Sequence, residues 1–209
     1  MTNVICEWVD DCVRIRLACG DANLLTTEVL RELSEAITVA ESRGRGVLFC
    51  GGDKFFSNDV DLDWALSQSS AELRTMFLAL GGCIVQIMEC PRPIVGALAL
   101  LLACDYRYGA MGRVLVGKPE ILLGVPNPYY GDQLLRYVAE DFAASDLRYT
   151  GKLISAEEAC ALRVMHGVAD KTSVEDTAWQ QLQFLCGLVP EAFAEAKRMR
   201  NGRFCADVG

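Results

Sequence analysis

Three stretches hold residues able to do chemistry at useful spacing. Residues 54–62 read Lys-Phe-Phe-Ser-Asn-Asp-Val-Asp-Leu, after a short apolar run and before a helical start at 63–66. A chain that leaves a buried strand and enters a helix presents unpaired backbone N–H groups, which can hold an anion or an oxygen gaining negative charge. Residues 117–126 set Glu120 between Pro119 and the apolar Ile121, Leu122 and Leu123. Partial desolvation there would raise a carboxyl toward the range of a general base. Residues 90–97 and 103–107 join a proline-bounded apolar strand to Cys104, Asp105 and Arg107. Taken singly, each stretch has a plain structural explanation that serves as well or better. These are a capped turn, a surface acid at a helix start, and a buried strand beside a core helix.

The elements that must position these stretches follow from periodicity. Residues 4–9 and 12–18 alternate around Asp10-Asp11 and predict a hairpin. Thr26 or Thr27 caps a helix reaching Ser42, with Val29, Leu30, Leu33, Ala36, Ile37 and Ala40 at helical spacing. Residues 45–50 predict a buried strand, and 71–90 a long helix stopped by Pro91 and Pro93. Short strands fit 94–97, 104–108 and 114–116, and helices fit 132–149, 155–162, 174–186 and 190–200. The order implies an α/β fold, with residues 1–150 as the core and 151–209 as a helical C-terminal extension.

The chain has 209 residues, 52% of them apolar, and a net charge of −8. So much apolar surface excludes a disordered chain, and the acidic balance argues against nucleic acid or an anionic membrane as partner. Ten cysteines are scattered without a CxxC pair, and the single histidine, His166, has no metal-ligand spacing around it. No metal is expected, and the cysteines read as reduced small hydrophobes. The acidic start lacks the pattern of a signal peptide, so a soluble, cytoplasmic protein is expected.

Read in order, these stretches resemble the crotonase superfamily, the enoyl-CoA hydratase/isomerase family. Residues 56–62 match its FSxGxDL turn, and 93–97 with 104–107 match its P-x-I/V-A strand and CDxR element. Residues 119–126 match its PE-xx-LG-xx-P segment, 150–159 its TG-x-x-I-S-A-E-E-A stretch, and 164–169 its GLVHEVV strand. The resemblance implies a spiral of ββα units, a homotrimer or dimer of trimers formed through the C-terminal helical region, and an acyl-CoA substrate. It implies no separate cofactor, since coenzyme A carries the substrate. It further implies that the N–H of Val60 is one of two donors stabilising an enolate, and that Phe56, Asn58, Val60, Asp61 and Leu62 line the substrate site. It makes His166 structural, and leaves Lys54, Lys197 and Arg198 as candidates for the coenzyme A phosphates.

Hydratases of the family use two glutamates. One corresponds to Glu120; the other position is Ala99 here. A single carboxylate matches the Δ3,Δ2-enoyl-CoA isomerase branch, in which one glutamate moves a proton from C2 to C4. The chain departs from the family in two places. Asp59 replaces a glycine, bringing a negative charge beside the oxyanion donor. Between Ala97 and Cys104 the chain is markedly shorter than the family's glycine-rich loop, which supplies the second N–H donor. Another acyl-CoA activity (hydratase, hydrolase or decarboxylase) and an inactive acyl-CoA-binding or oligomerisation protein are therefore the alternatives.

Overall fold

The structure, a computed structural model, describes residues 2–52, 57, 60, 64, 67–97, 102–112, 115–117, 119–124 and 127–208. The main sheet runs in the order β1 (Val4–Val9), β2 (Cys12–Leu17), β3 (Gly46–Cys50), β4 (Ile94–Ala97), β5 (Tyr106–Ala110) and β8 (Gly167–Ala169). β1 and β2 form the expected antiparallel hairpin, Val9 opposite Cys12, with Asp10 at φ 53° in the turn. From β2 onward the strands are parallel. A second, two-stranded sheet pairs β6 (Leu115–Gly117) with β7 (Leu153–Ser155).

Parallel strands covered on both faces need apolar residues at every position, which is how β3 reads. Val47 and Phe49 enter the larger core beneath α1 (Thr27–Arg43) and α2 (Ser70–Glu89). Leu48 and Cys50 point the other way, into a core closed by Ala178, Leu182 and Leu185 of α6 (Val174–Cys186). Thr26 caps α1 by accepting from Val29 N–H, and Ser69 and Glu72 form a reciprocal box at the start of α2. α2 is long and apolar enough to cross a membrane. Its Met76, Leu80, Ile84 and Ile87 are instead buried in the larger core.

The predicted helix over 132–149 is two helices, α3 (Tyr129–Val138) and α4 (Asp141–Thr150). The chain is extended at Ala139 and Glu140, and the two helices fold back around Leu135, Ala139, Ala143 and Leu147. Both flanks of the bend face one cluster, so apolar spacing runs through it unbroken. Arg148 pairs with Asp132 across the bend. Beyond Gly151 the chain supplies strands as well as helices, since β7 pairs with β6 and β8 with β5. α5 (Ala156–Ala161) starts at a second capping box, Ser155 with Glu158.

The last helix, α7 (Pro190–Val208), is longer than the sequence predicted because its end is occupied. Asn201 donates to Met88 O at 2.8 Å, and Phe204 meets the Tyr137 ring at 5.6 Å between centroids.

Candidate active site

Contacts at Gly51, Ser57 and Val60 anchor the segment that carries Val60. At its start, Arg16 donates to Gly51 O at 2.7 Å and makes a two-pronged pair with Glu175 of α6, at 2.9 and 2.8 Å. This planar geometry holds the end of β3 against both β2 and α6. Burial pushes the Glu175 carboxyl up, but the Arg16 pair outweighs it and leaves the group below its ordinary value.

The far end rests on a latch that periodicity does not reveal. Asn23 is fully buried in the left-handed region, φ 47°. Its Oδ1 accepts from Cys19 N–H at 3.0 Å, and its carbonyl accepts from Ser57 Oγ at 2.7 Å. Asn tolerates this conformation better than most residues because its short polar side chain bonds locally. Two residues on, buried Leu25 forms a parallel bridge with Val60. Val60 is half-buried against the larger core, with Trp64 on the same cluster. Of the other expected substrate-site residues, Phe56, Asn58, Asp61 and Leu62 lie outside the described residues, as do Lys54, Asp59 and Ala99.

Glu120 lies in a 3-10 turn, Pro119–Leu123, rather than a strand or α-helix. β6, paired to β7 through Val116 and Ile154, delivers the chain to it, and Gly124 at φ 72° ends it. The turn is backed by Gly151, which caps α4 at φ 63°. A Cβ there would lie 2.8 Å from Leu122 and 2.9 Å from Ile121, so only glycine allows both the conformation and the approach. Glu120 is half-buried with Oε2 shielded from solvent. Val60 and Glu120 thus stand on different supports, one on the larger core and one on the β6–β7 and α4 unit. Leu102 packs against both cores and joins them.

The Cys104–Arg107 element is structural in its contacts. Asp105 Oδ2 accepts from Ile94 N–H at 2.8 Å and from Lys197 Nζ at 2.8 Å. Lys197 also donates to Arg92 O at 3.1 Å, and it is buried. Lys197 is therefore withdrawn from the candidates for the coenzyme A phosphates, because its charge is already satisfied inside the fold. Arg198 is exposed and pairs with Glu195 at 2.6 Å. Arg107 is buried and donates to the carbonyls of Val164 (2.7 Å) and Cys104 (2.8 Å). Burial lowers its guanidinium to about 10. Its backbone N–H donates to His166 Nδ1 at 3.2 Å, and its carbonyl accepts from His166 N–H at 2.8 Å. His166 is a structural residue leading into β8. Among the described residues no three potential metal-ligating side chains converge.

The family model for enoyl-CoA hydratase/isomerase matches residues 12–204. The chain is 31% identical over 173 residues to the human peroxisomal bifunctional enzyme, covering 78% of this chain and 23% of that protein. It is 26% identical over 150 residues to enoyl-CoA delta isomerase 3 of Arabidopsis thaliana, covering 66% of this chain and 63% of that one. The chain thus spans less than two thirds of the length of either relative. A solved structure of a probable enoyl-CoA hydratase from Mycobacterium tuberculosis superposes with a TM-score of 0.93, covering 99% of this chain and 91% of that one at 19% identity. That likeness shows the expected crotonase fold. With the family match spanning most of its length, the chain belongs to the enoyl-CoA hydratase/isomerase family.

Proposed function

We propose that the protein acts on an acyl-CoA thioester as an enoyl-CoA isomerase, moving a double bond from the 3- to the 2-position. The observation that carries this reading is Glu120 on a backed 3-10 turn, with alanine at position 99 where hydratases of the family carry their second glutamate. One carboxylate takes the proton from C2, the electron pair spreads over the thioester oxygen and the adjacent alkene, and the same carboxyl returns the proton to C4. Nothing is added or lost, so no second acid is needed to activate water. Val60 N–H faces the developing oxyanion in this reading, and a preorganised donor helps most at that point because the charge arises there. Phe56, Asn58, Asp61 and Leu62 line the acyl-CoA site beside it. The working protein is a homotrimer or dimer of trimers in the cytoplasm, with no separate cofactor.

Incubation with a 3-enoyl-CoA should produce the conjugated 2-enoyl thioester, followed by its ultraviolet absorbance. Release of a hydrated or hydrolysed product would instead assign another activity of the family. A second reading, an acyl-CoA-binding protein without turnover, is favoured by the connection between β4 and β5. It consists of residues 98–105 alone, although parallel neighbours ordinarily need a crossover of a dozen residues or more. Acyl-CoA binding without any product would select that reading.

A further inference from the structure

The first residue of β2 and the last of α6 meet in a pair of thiols. Cys12 Sγ lies 3.6 Å from Cys186 Sγ, across a sequence separation of 174 residues. Arg45 holds both sides of this junction. Its backbone N–H donates to Asp11 O at 2.7 Å, beside Cys12, and its guanidinium donates to Cys186 O at 2.7 Å. Its carbonyl accepts from Cys186 Sγ at 3.4 Å. Gly46 makes the room: a Cβ there would lie 2.5 Å from Cys186 Sγ. The pair opens on a surface cleft bordered by Asp10, Asp11, Trp179 and Gln183.

We infer that Cys12 and Cys186 form a reversible disulfide when the protein meets a hydroperoxide, stapling the N-terminal hairpin to the end of α6. The sulfurs must close by about 1.5 Å to reach bonding distance, a movement within reach of side-chain rotation. The hydrogen bond with Cys186, helped by the positive charge of Arg45, lowers the Cys12 thiol against burial and the negative charges of Asp11 and Asp10, so Cys12 is the attacking group. Its thiolate attacks one peroxide oxygen; an S–O bond forms, the O–O bond breaks, and the departing alkoxide or hydroxide takes a proton. Cys186 sulfur then attacks the Cys12 sulfenic sulfur. The S–S bond forms, the S–O bond breaks, and hydroxide leaves as water with the Cys186 proton. Two thiols and one hydroperoxide thus yield one disulfide, one alcohol or water, and one further water. The other cysteines lack this arrangement: Cys83 and Cys104 are buried and their thiols are raised by desolvation, while Cys6 is exposed on β1.

The test is titration of the intact protein with hydrogen peroxide, followed by intact mass, differential alkylation and peptide mapping. A product two mass units lighter, with Cys12 and Cys186 peptides linked and released by dithiothreitol, is expected. Closing so long a loop should raise the melting temperature by roughly 10 °C, reversed on reduction. Cys12→Ser and Cys186→Ser should each abolish the linked product. Wild-type mapping stands without the variants, should either fail to fold. A linkage between other cysteines, irreversible sulfinic acid with no linked peptides, or full alkylation of both thiols after peroxide would each overturn the inference.

Discussion

Lys197 Nζ lies 2.8 Å from Asp105 Oδ2 with only 3% and 8% of the two side chains exposed, so α7 is bound to the root of β5 by a charge pair inside the protein. The same carboxylate oxygen accepts from Ile94 N–H. One contact therefore couples the last helix to two central strands. Removing the lysine by Lys197→Met leaves a buried carboxylate without its countercharge, which should cost about 3–5 kcal/mol. Adding Asp105→Asn to that variant should recover part of the loss. Urea denaturation of both variants measures it, and a double variant no more stable than Lys197→Met alone would contradict the pairing.

The proton-shuttle reading places the burden on one side chain. Glu120→Gln keeps the shape of the 3-10 turn and removes the base, so turnover of 3-enoyl-CoA should fall by roughly 10²–10⁴-fold with an unchanged melting curve. An unimpaired variant would refute Glu120 as the shuttle.

The latch at Asn23 makes a separate prediction about the segment bearing Ser57 and Val60. Asn23→Ala loses the acceptor for Cys19 N–H and meets strain in the left-handed region, together about 2 kcal/mol. Asn23→Gly relieves the strain alone and should fall between Asn23→Ala and wild type. Melting temperatures of the three proteins give the order.

Gly151 and Gly82 form a contrasting pair. Gly151→Ala combines positive φ with close contacts to Ile121 and Leu122, the residues that follow Glu120. It should destabilise by about 1–3 kcal/mol and lower turnover as the 3-10 turn shifts. Gly82 is exposed in the interior of α2, and a Cβ added there would meet nothing within 4 Å, so Gly82→Ala should stabilise by about 0.5–1 kcal/mol. Equal effects at the two sites would refute the backing role of Gly151.

His166 sets a pH dependence. Partial burial of the ring, then the charges of Arg107 and Arg200, lower it to about 4. The unfolded chain takes up that proton near pH 6.5, so between these values it binds more protons than the folded protein. The contribution is complete above about pH 6.5 and is lost as pH falls toward 4. Solvent reaches His166, which limits the loss to about 1 kcal/mol. Denaturation at pH 7.5 and 4.5 should show wild type losing that much more than His166→Gln. Parallel losses would refute the assignment.

The elements read from local spacing are those whose determinants are local. Thr26 capping α1, the hairpin turning at Asp10, and Pro91 and Pro93 closing the segment after α2 each involve residues a few positions apart. The bend at Ala139 was not legible, because both of its flanks face the same cluster and keep the same apolar rhythm.

By itself the sequence determined most of the strands and helices before residue 128, the family, and the presence of an acid at position 120 with alanine at position 99. These depend on residue identity and short spacing. Only the tertiary structure decided that Lys197 is an internal countercharge, that Asn23 meets Ser57 and Leu25 meets Val60, and that Cys12 faces Cys186. Each of those relations joins residues tens to nearly two hundred positions apart. Their partners are fixed by how the sheets and helices stack, and no periodicity along the chain records that stacking.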